Sequence, residues 1–193
     1  GLRRLEYRGY DSAGVAVMSG NAIEHRKKAG KVADLEAEIE KAPLPSSNLG
    51  IGHTRWATHG GPTDVNTHPH VVGNGRLAVV HNGIIENFAS LRHELEEKGH
   101  TFISETDTEV AATVLLDVYD NEADGDLTKA MQITANRLEG AFTLLAVHAD
   151  NADQVVAARR NSPLVIGLGE GENFLGSDVA AFIGYTKEAM EVD

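Results

Sequence analysis

The chain has 193 residues, of which 41% are hydrophobic and 24% charged, a balance that suits one soluble domain with its own core. Twenty-nine acidic residues against 17 basic ones give a formal net charge of −12, which argues against binding nucleic-acid backbones or anionic membrane surfaces. The absence of cysteine excludes disulfides and thiolate metal sites, and no run approaches the length of a membrane-spanning helix. We expect a cytoplasmic protein.

Apolar periodicity in the first half of the chain predicts a short helix, a hairpin, a second helix and two strands. Residues 1–7 resemble the later part of a helix, because Leu2 and Leu5 share one face and no N-cap precedes them. The elements that follow are a hairpin of residues 14–18 and 22–28, a helix over 32–39, and strands over 49–56 and 76–85.

The second half predicts three helices and then several strands. Helices are predicted over residues 88–95, 106–118 and 127–138, the second of them beginning at a capping box of Thr106 and Glu109. Strand-like runs follow at 141–147, 154–159, 164–168 and 173–176. Strands that lead and trail a central helical region predict sheets covered by helices.

A long stretch rich in Gly, Pro and His, residues 58–75, is predicted to lack secondary structure of its own, and such loops are usually functional or disordered. Five histidines lie in or beside it: His53, His59, His68, His70 and His81. No carboxylate completes a recognised metal motif, so we expect no metal. The alternative is that these imidazoles hydrogen-bond the backbone and order the loop.

Arg55 and Asp107 are candidates for binding the two charged ends of a free amino acid. Arginine is the best fork for a carboxylate, and aspartate could receive an ammonium. Each position also has a plainer interpretation. Arg55 taken alone is more readily an exposed surface arginine, and Asp107 taken alone is more readily a helix cap.

Asn82 and Gly83 follow an apolar run and allow two interpretations. Asn-Gly is a common hairpin turn, which is the default. The functional alternative is an oxyanion hole, in which the Asn82 amide and the Gly83 N–H donate to a developing negative charge. No nucleophile emerges, since Ser12 fits neither of the usual serine motifs and is better explained as a turn residue before a strand.

Four motifs occurring in this order are specific: residues 8–14 (RGYDSAG), 53–60 (HTRWATHG), 81–83 (HNG) and 106–109 (TDTE). Together they resemble the glutaminase domains of glutamine–fructose-6-phosphate aminotransferases (isomerising), also called glucosamine-6-phosphate synthases, which are class II, N-terminal-nucleophile amidotransferases. The resemblance covers the whole chain. It implies an α+β fold, a four-layer αββα sandwich of the N-terminal-nucleophile hydrolase type.

The resemblance also implies roles for individual residues. Asn82 and Gly83 would form the oxyanion hole, Arg55 would bind the glutamine α-carboxylate, and Asp107 would bind the α-ammonium. A loop that closes over glutamine would contain Trp56, Thr58, His59 and Gly60, with Trp56 gating the passage of ammonia. Arg8 would support the surroundings of the nucleophile, and His68 the pocket wall.

The nucleophile of that family is an N-terminal cysteine, which this sequence lacks. We therefore expect residues 1–193 to be a type-2 glutamine amidotransferase domain truncated at both ends, without its isomerase domain and inactive alone. Whole members hydrolyse L-glutamine and channel the ammonia to convert fructose 6-phosphate to glucosamine 6-phosphate. The partners implied are L-glutamine, the isomerase domain of the same chain, and a second copy through that domain, with no cofactor.

Two alternatives stay open. A catalytically dead glutamine-binding regulatory module would keep the amino-acid clamp without the thiol. Another class II amidotransferase would share glutamine hydrolysis and differ only in the acceptor of ammonia.

Overall fold

The computed structural model describes residues 1–192, which form two stacked antiparallel sheets with helices on both outer faces. The helices are α1 (Leu2–Leu5), α2 (Val32–Lys41), α3 (Phe88–Glu97), α4 (Asp107–Asn121) and α5 (Leu127–Arg137). The strands are β1 (Ser12–Ser19), β2 (Ala22–Ala29), β3 (Gly50–Arg55), β4 (His70–Val72), β5 (Leu77–Ile85), β6 (Gly140–His148), β7 (Val156–Arg160), β8 (Val165–Leu168), β9 (Asn173–Gly176) and β10 (Ala189–Glu191).

Two sheets form the centre of the domain and a third lies beside them. The first has the strand order β2-β1-β3, and the second has the order β4-β5-β6-β7. The small third sheet has the order β10-β8-β9. Every strand pairing in these sheets is antiparallel. Strand β3 is therefore an edge strand of the first sheet, and this edge locates the site described below.

Three separate apolar cores lie between successive layers, which establishes the order helix, sheet, sheet, helices. Val32 and Leu35 of α2 pack with Ala13 on the outer face of the first sheet. Alternate residues of the same strand, such as Ala16 and Met18, point inward and pack with the second sheet through its Ala78, Val80 and Val147. This alternation follows from the two-residue period of a strand. The predicted four-layer αββα sandwich is confirmed.

The largest core lies between the second sheet and helices α3, α4 and α5. Helix α4 is the most deeply buried of the three, since its residues from Asp107 to Leu116 are all buried. Leu77 and Val79 of β5 face this core, whereas Ala78 and Val80 face the other sheet. Because α4 is enclosed, polar side chains at its start must find partners inside the protein.

Every predicted helix and strand is present, the structure adds the short strand β10, and four predictions differ in detail. The loop at 58–75 contains the short strand β4, which pairs with β5 through His70 and Val79. Helix α5 ends at Arg137 instead of Leu138, whose backbone is extended. The capping box is only half formed: Thr106 accepts the Glu109 N–H, but the Glu109 carboxylate accepts the N–H groups of Ile103 and Ser104.

The fourth difference concerns Asn82 and Gly83. They lie inside β5 and pair with Thr143 and Phe142 of β6, so the hairpin-turn interpretation is wrong. Within residues 1–192, no helix is long and apolar enough to cross a membrane.

Candidate active site

A cavity of about 730 Å³ lies beside the edge of β3, between the two main sheets. Its wall is built from α1, all six residues of β3, the second half of β5, the start of α4 and strand β9. Eight of the ten predicted site residues line it, namely Arg8, Arg55, Trp56, Thr58, His68, Asn82, Gly83 and Asp107. His59 and Gly60 do not line the cavity, although both contact Arg55 through their backbone.

Arg55 is 3% exposed, so the interpretation as a surface arginine is wrong. Its guanidinium donates to the carbonyl oxygens of three consecutive residues: His59, Gly60 at 3.2 Å and Gly61 at 3.2 Å. Desolvation lowers the pKa of Arg55, and the nearby Asp11 and Asp107 carboxylates oppose that shift. These contacts employ three of the five N–H donors that a guanidinium carries, so donors remain for a carboxylate.

Asp107 is the first residue of α4, and the cap is the neighbouring Thr106, so the interpretation of Asp107 as a cap is also wrong. Its side chain is buried, and Oδ2 accepts the backbone N–H of Ile85 at 2.9 Å. Two imidazoles lie 3.9 Å from its oxygens, through Nδ1 of His59 and Nδ1 of His81. A carboxylate at a helix start interacts favourably with the helix dipole.

Asn82 and Gly83 meet the cavity from β5. Asn82 Oδ1 lies 2.9 Å from Nε2 of His53 on the opposite sheet. Gly83 has a φ of +108°, and a Cβ there would lie 2.1 Å from the Ala141 carbonyl oxygen. Glycine is therefore required at this position by the backbone and by the pairing with β6, in addition to any need for a substrate to approach.

Four of the histidines, His53, His68, His70 and His81, lie in a buried polar network at the cavity. The Thr108 hydroxyl joins His68 Nε2 at 2.8 Å to His81 Nδ1 at 2.9 Å, and the Thr106 hydroxyl lies 3.0 Å from His70 Nε2. The expectation of backbone partners is therefore wrong for His68, His70 and His81, whereas His53 also has a backbone contact with His81. A threonine hydroxyl can donate to one imidazole and accept from another, which explains its place between them.

Burial keeps this network uncharged at neutral pH. Desolvation lowers the pKa of His53 to about 4 and that of His70 to about 3. Desolvation also lowers the pKa of His68 and of His81, although the Asp107 carboxylate opposes the shift at His81. Within the part of the chain that the structure describes, no group of three or more His, Asp or Glu residues has the geometry of a metal site.

The remaining predicted residues lie around the mouth of the cavity. Trp56 is 59% exposed, and its ring lies edge-on to Tyr10 with centroids 5.5 Å apart. The His59 ring lies edge-on to Phe88 with centroids 5.0 Å apart. Arg8 forms an ion pair with Asp178 at 3.7 Å. In the segment from Trp56 to Gly61, Arg55 thus holds the carbonyl groups of residues 59–61, while the Trp56 ring is exposed.

Sequence reasoning missed three polar residues that the structure brings to this region. Thr106 was interpreted only as a helix cap and Thr108 was given no role of its own, yet each contacts a buried histidine. Asn66 donates to Gly61 O and to the Glu105 carboxylate, and its Oδ1 accepts the Glu105 N–H, so it ties the loop to the start of α4. The alternation of Thr at 106 and 108 was the only available signal.

The arrangement suits a small zwitterion with a polar side chain. A buried cation, Arg55, and a buried anion, Asp107, both line the cavity and attract each other, and the amide side chain of Asn82 lines it too. A carboxylate would bind the guanidinium, an ammonium would bind the aspartate, and the amide could donate to an oxygen that gains charge.

A family model described as a glutamine amidotransferase domain matches residues 40–193. Among curated proteins, the chain is 73% identical over 192 residues to a glutamine–fructose-6-phosphate aminotransferase [isomerizing] of Corynebacterium glutamicum, covering 100% of this chain and 31% of that protein. The protein of the same name from Mycobacterium tuberculosis is 53% identical over 194 residues, covering 99% and 31%. The chain therefore spans about a third of the length of these relatives.

Solved structures give the same fold. A glutamine phosphoribosylpyrophosphate amidotransferase from B. subtilis, complexed with ADP and GMP, matches with a TM-score of 0.81 at 26% identity, covering 100% of this chain and 41% of that one. A structure described as the allosteric regulatory enzyme of purine biosynthesis matches with a TM-score of 0.84 at 27% identity, with the same coverage.

Proposed function

This chain belongs to the glutamine amidotransferase family, and we propose that its cavity is the glutaminase site of a glutamine–fructose-6-phosphate aminotransferase. The reaction at this site would be hydrolysis of L-glutamine to glutamate and ammonia. One observation carries the proposal: Arg55, Asp107 and Asn82 line a single cavity, with the two charged groups buried. A buried charge is costly unless a partner neutralises it, so this cavity is suited to a zwitterionic ligand.

In this proposal Arg55 and Asp107 bind the amino-acid end of glutamine. The Arg55 guanidinium takes the α-carboxylate, and the Asp107 carboxylate takes the α-ammonium. Trp56, Thr58, His59 and Gly60 belong to the segment that closes over the bound amino acid, and Arg55 orders that segment through the carbonyls of His59, Gly60 and Gly61. His68 and Arg8 support the wall from either side.

Asn82 and Gly83 would stabilise the reacting end of the substrate. A nucleophile that adds to the side-chain amide carbon leaves negative charge on the amide oxygen, and the Asn82 amide and the Gly83 N–H would donate to it. Such donors are worth most in a site that excludes water.

The nucleophile is proposed to be an N-terminal cysteine that precedes Gly1 in the full-length protein. Its α-amino group has a suitable pKa, about 7.7 to 8, to accept the thiol proton. The sulfur would add to the amide carbon, ammonia would leave with a proton, and water would then split the thioester to glutamate and free thiol. The edge of β3 beside the cavity supports this, because an extended segment can pair there and deliver its first residue to Asn82.

The other partners belong to the same proposal. The greater length of the relatives supports a further domain that uses the ammonia to convert fructose 6-phosphate to glucosamine 6-phosphate. We propose that this isomerase domain also forms a homodimer and that the enzyme acts in the cytoplasm, without a cofactor.

The experiment is a glutamate-release assay on the full-length protein, with and without fructose 6-phosphate, together with glutamine calorimetry. Hydrolysis that Arg55→Ala and Asn82→Ala both reduce would support the proposal. Glutamine binding without hydrolysis by the full-length protein would replace it with a regulatory binding module. Hydrolysis with no glucosamine 6-phosphate formed would indicate another amidotransferase, and absence of both binding and hydrolysis would overturn the site itself.

A further inference from the structure

We propose that His53 is a positioning residue for the oxyanion hole, because its Nε2–H donates to Asn82 Oδ1 and so turns the Asn82 amide nitrogen toward the substrate. This role of His53 rests on the proposed glutaminase function. His53 would touch no reacting atom itself. It would act through the orientation of one amide.

The contact crosses between the two sheets of the sandwich. His53 lies on β3 and Asn82 on β5, and their side chains meet with Nε2 and Oδ1 2.9 Å apart. Both residues line the cavity. The backbone of Asn82 belongs to the second sheet, and its amide is bonded to His53 of the first sheet. The Asn82 side chain is therefore held at both ends.

The surroundings of the imidazole select one tautomer. With a pKa near 4, the ring is neutral at physiological pH and carries one N–H. Nδ1 is buried and has no hydrogen-bond partner within residues 1–192. A hydrogen on Nδ1 would leave a buried donor unsatisfied, whereas a bare lone pair there costs less. The hydrogen consequently belongs on Nε2, where Asn82 Oδ1 accepts it.

This tautomer decides which end of the Asn82 amide faces the substrate. An Nε2–H donor requires the amide oxygen as its partner, so the NH₂ group points away from His53. If the hydrogen lay on Nδ1, the amide would turn over and present its oxygen to the developing oxyanion, which would be repulsive. An oxyanion hole works by having its donors aimed before charge develops.

The ring of His53 is itself held by the network behind it. The His68 ring packs on it with centroids 4.4 Å apart, and His68 Nε2 is tied to the Thr108 hydroxyl at 2.8 Å. Gly14 of β1 lies directly opposite His53 in the β1–β3 pairing. A catalytic group is kept in place by neighbours that are themselves fixed by packing and hydrogen bonds.

The test is steady-state glutaminase kinetics on the full-length enzyme with His53→Leu and His53→Gln. Leucine removes the donor, and we expect kcat to fall roughly 10- to 100-fold with KM for glutamine changed less than about threefold, part of the roughly 10²- to 10³-fold cost of losing an oxyanion donor. Glutamine can place an amide N–H near the position of Nε2 and should restore most of the loss. His148→Leu, which removes a fully buried histidine outside the cavity, is the control and should leave kcat unchanged.

A double-mutant cycle with Asn82→Ala separates positioning from mere structural support. If His53 acts through Asn82, the double variant His53→Leu/Asn82→Ala will have the kcat of Asn82→Ala within about twofold. Multiplication of the two losses would overturn the inference, as would an Nδ1–H tautomer for His53 in nitrogen NMR of the full-length protein. Failure of the proposed function would look different, since the full-length protein with no substitution would then release no glutamate.

Discussion

The carboxylate of Asp107 accepts the backbone N–H of Ile85 at 2.9 Å, which joins the start of α4 to the end of β5. Asn82 and Gly83 lie just before Ile85 on that strand. The proposed ammonium ligand and the proposed oxyanion hole are thus fixed to each other by one hydrogen bond. A shift of the helix would displace the strand residues that face the cavity.

Replacing Asp107 by Asn should separate its charge from its structural role. Asparagine keeps an oxygen that can accept from Ile85 but loses the anion, so KM for glutamine should rise roughly 10- to 100-fold while the melting temperature changes little. Asp107→Ala should in addition cost about 1 to 2 kcal/mol of stability. The assay is glutaminase kinetics with thermal unfolding of the full-length protein. Asp126→Asn, at the start of α5, is the matched control, and an unchanged KM in Asp107→Asn would contradict the assignment.

Arg55→Lys should weaken glutamine binding and loosen the segment after β3. Lysine keeps the positive charge, but its ammonium cannot bridge three carbonyls and a carboxylate as a planar guanidinium does. We expect KM to rise at least about tenfold and hydrogen exchange of the amides at 58–63 to accelerate. Arg76→Lys, at the part-exposed ion pair with Asp120, should change neither. Slow exchange at 58–63 in Arg55→Lys would show that the guanidinium does not order the segment.

Alanine at Gly83 should damage the fold far more than alanine at Gly99, although both glycines have positive φ, +108° and +92°. A Cβ at Gly99 meets nothing within 4 Å, so only the backbone strain of about 1 to 2 kcal/mol remains. At Gly83 the Cβ would lie 2.1 Å from Ala141 O, so the β5–β6 pairing must open. Soluble yield and hydrogen exchange along β5 provide the comparison, and equal losses in the two variants would refute it.

The histidine network should make the sandwich sensitive to acid. His53 and His70 titrate near pH 4 and 3 in the folded protein but near 6.5 when unfolded, so the unfolded chain binds more protons below pH 6.5. The stability that these two neutral imidazoles contribute is therefore fully present above pH 6.5 and is lost as the pH falls toward their folded-state pKa values of about 4 and 3. Between pH 7.5 and 5.5 the loss should be roughly 2 to 3 kcal/mol for the two groups.

Hydrogen exchange of the slowest β5 amides in the full-length protein measures this loss. His70→Gln should reduce the measured loss by roughly 1 to 1.5 kcal/mol, because one buried imidazole no longer titrates while His53, His68 and His81 still contribute. His93→Gln, at an exposed position on α3, should leave it intact. A β5 stability that does not change between pH 7.5 and 5.5 would contradict the buried, neutral state of these imidazoles.

Local sequence signals were sufficient for every helix and for all strands except the short β4 and β10, but not for the environment of the site residues. The apolar period of β5 predicted a strand, yet the Asn-Gly pair within it looked like a turn because its partner β6 lies about 60 residues later. Arg55 looked like a surface residue since nothing near it in sequence announces that the loop will fold back and offer three carbonyls. Burial at both positions is set by tertiary contacts.

The buried network of histidines and threonines could not be predicted from the sequence for a similar reason. Thr108 is an ordinary residue of a first helical turn, and its bond to His68 joins positions 40 residues apart. The motifs identified the family and the candidate site residues. They did not indicate that His53 contacts Asn82, because side chains on different sheets share no local pattern.

The edge of β3 has a consequence for how this domain must be handled. Unpaired N–H and C=O groups along a strand are a template for pairing with another chain, and proteins normally cover or blunt such edges. Residues 1–193 produced alone would present this edge beside the cavity. Self-association into strand-paired aggregates is then expected for this domain on its own, and a short extended peptide added in trans should suppress it by capping the edge.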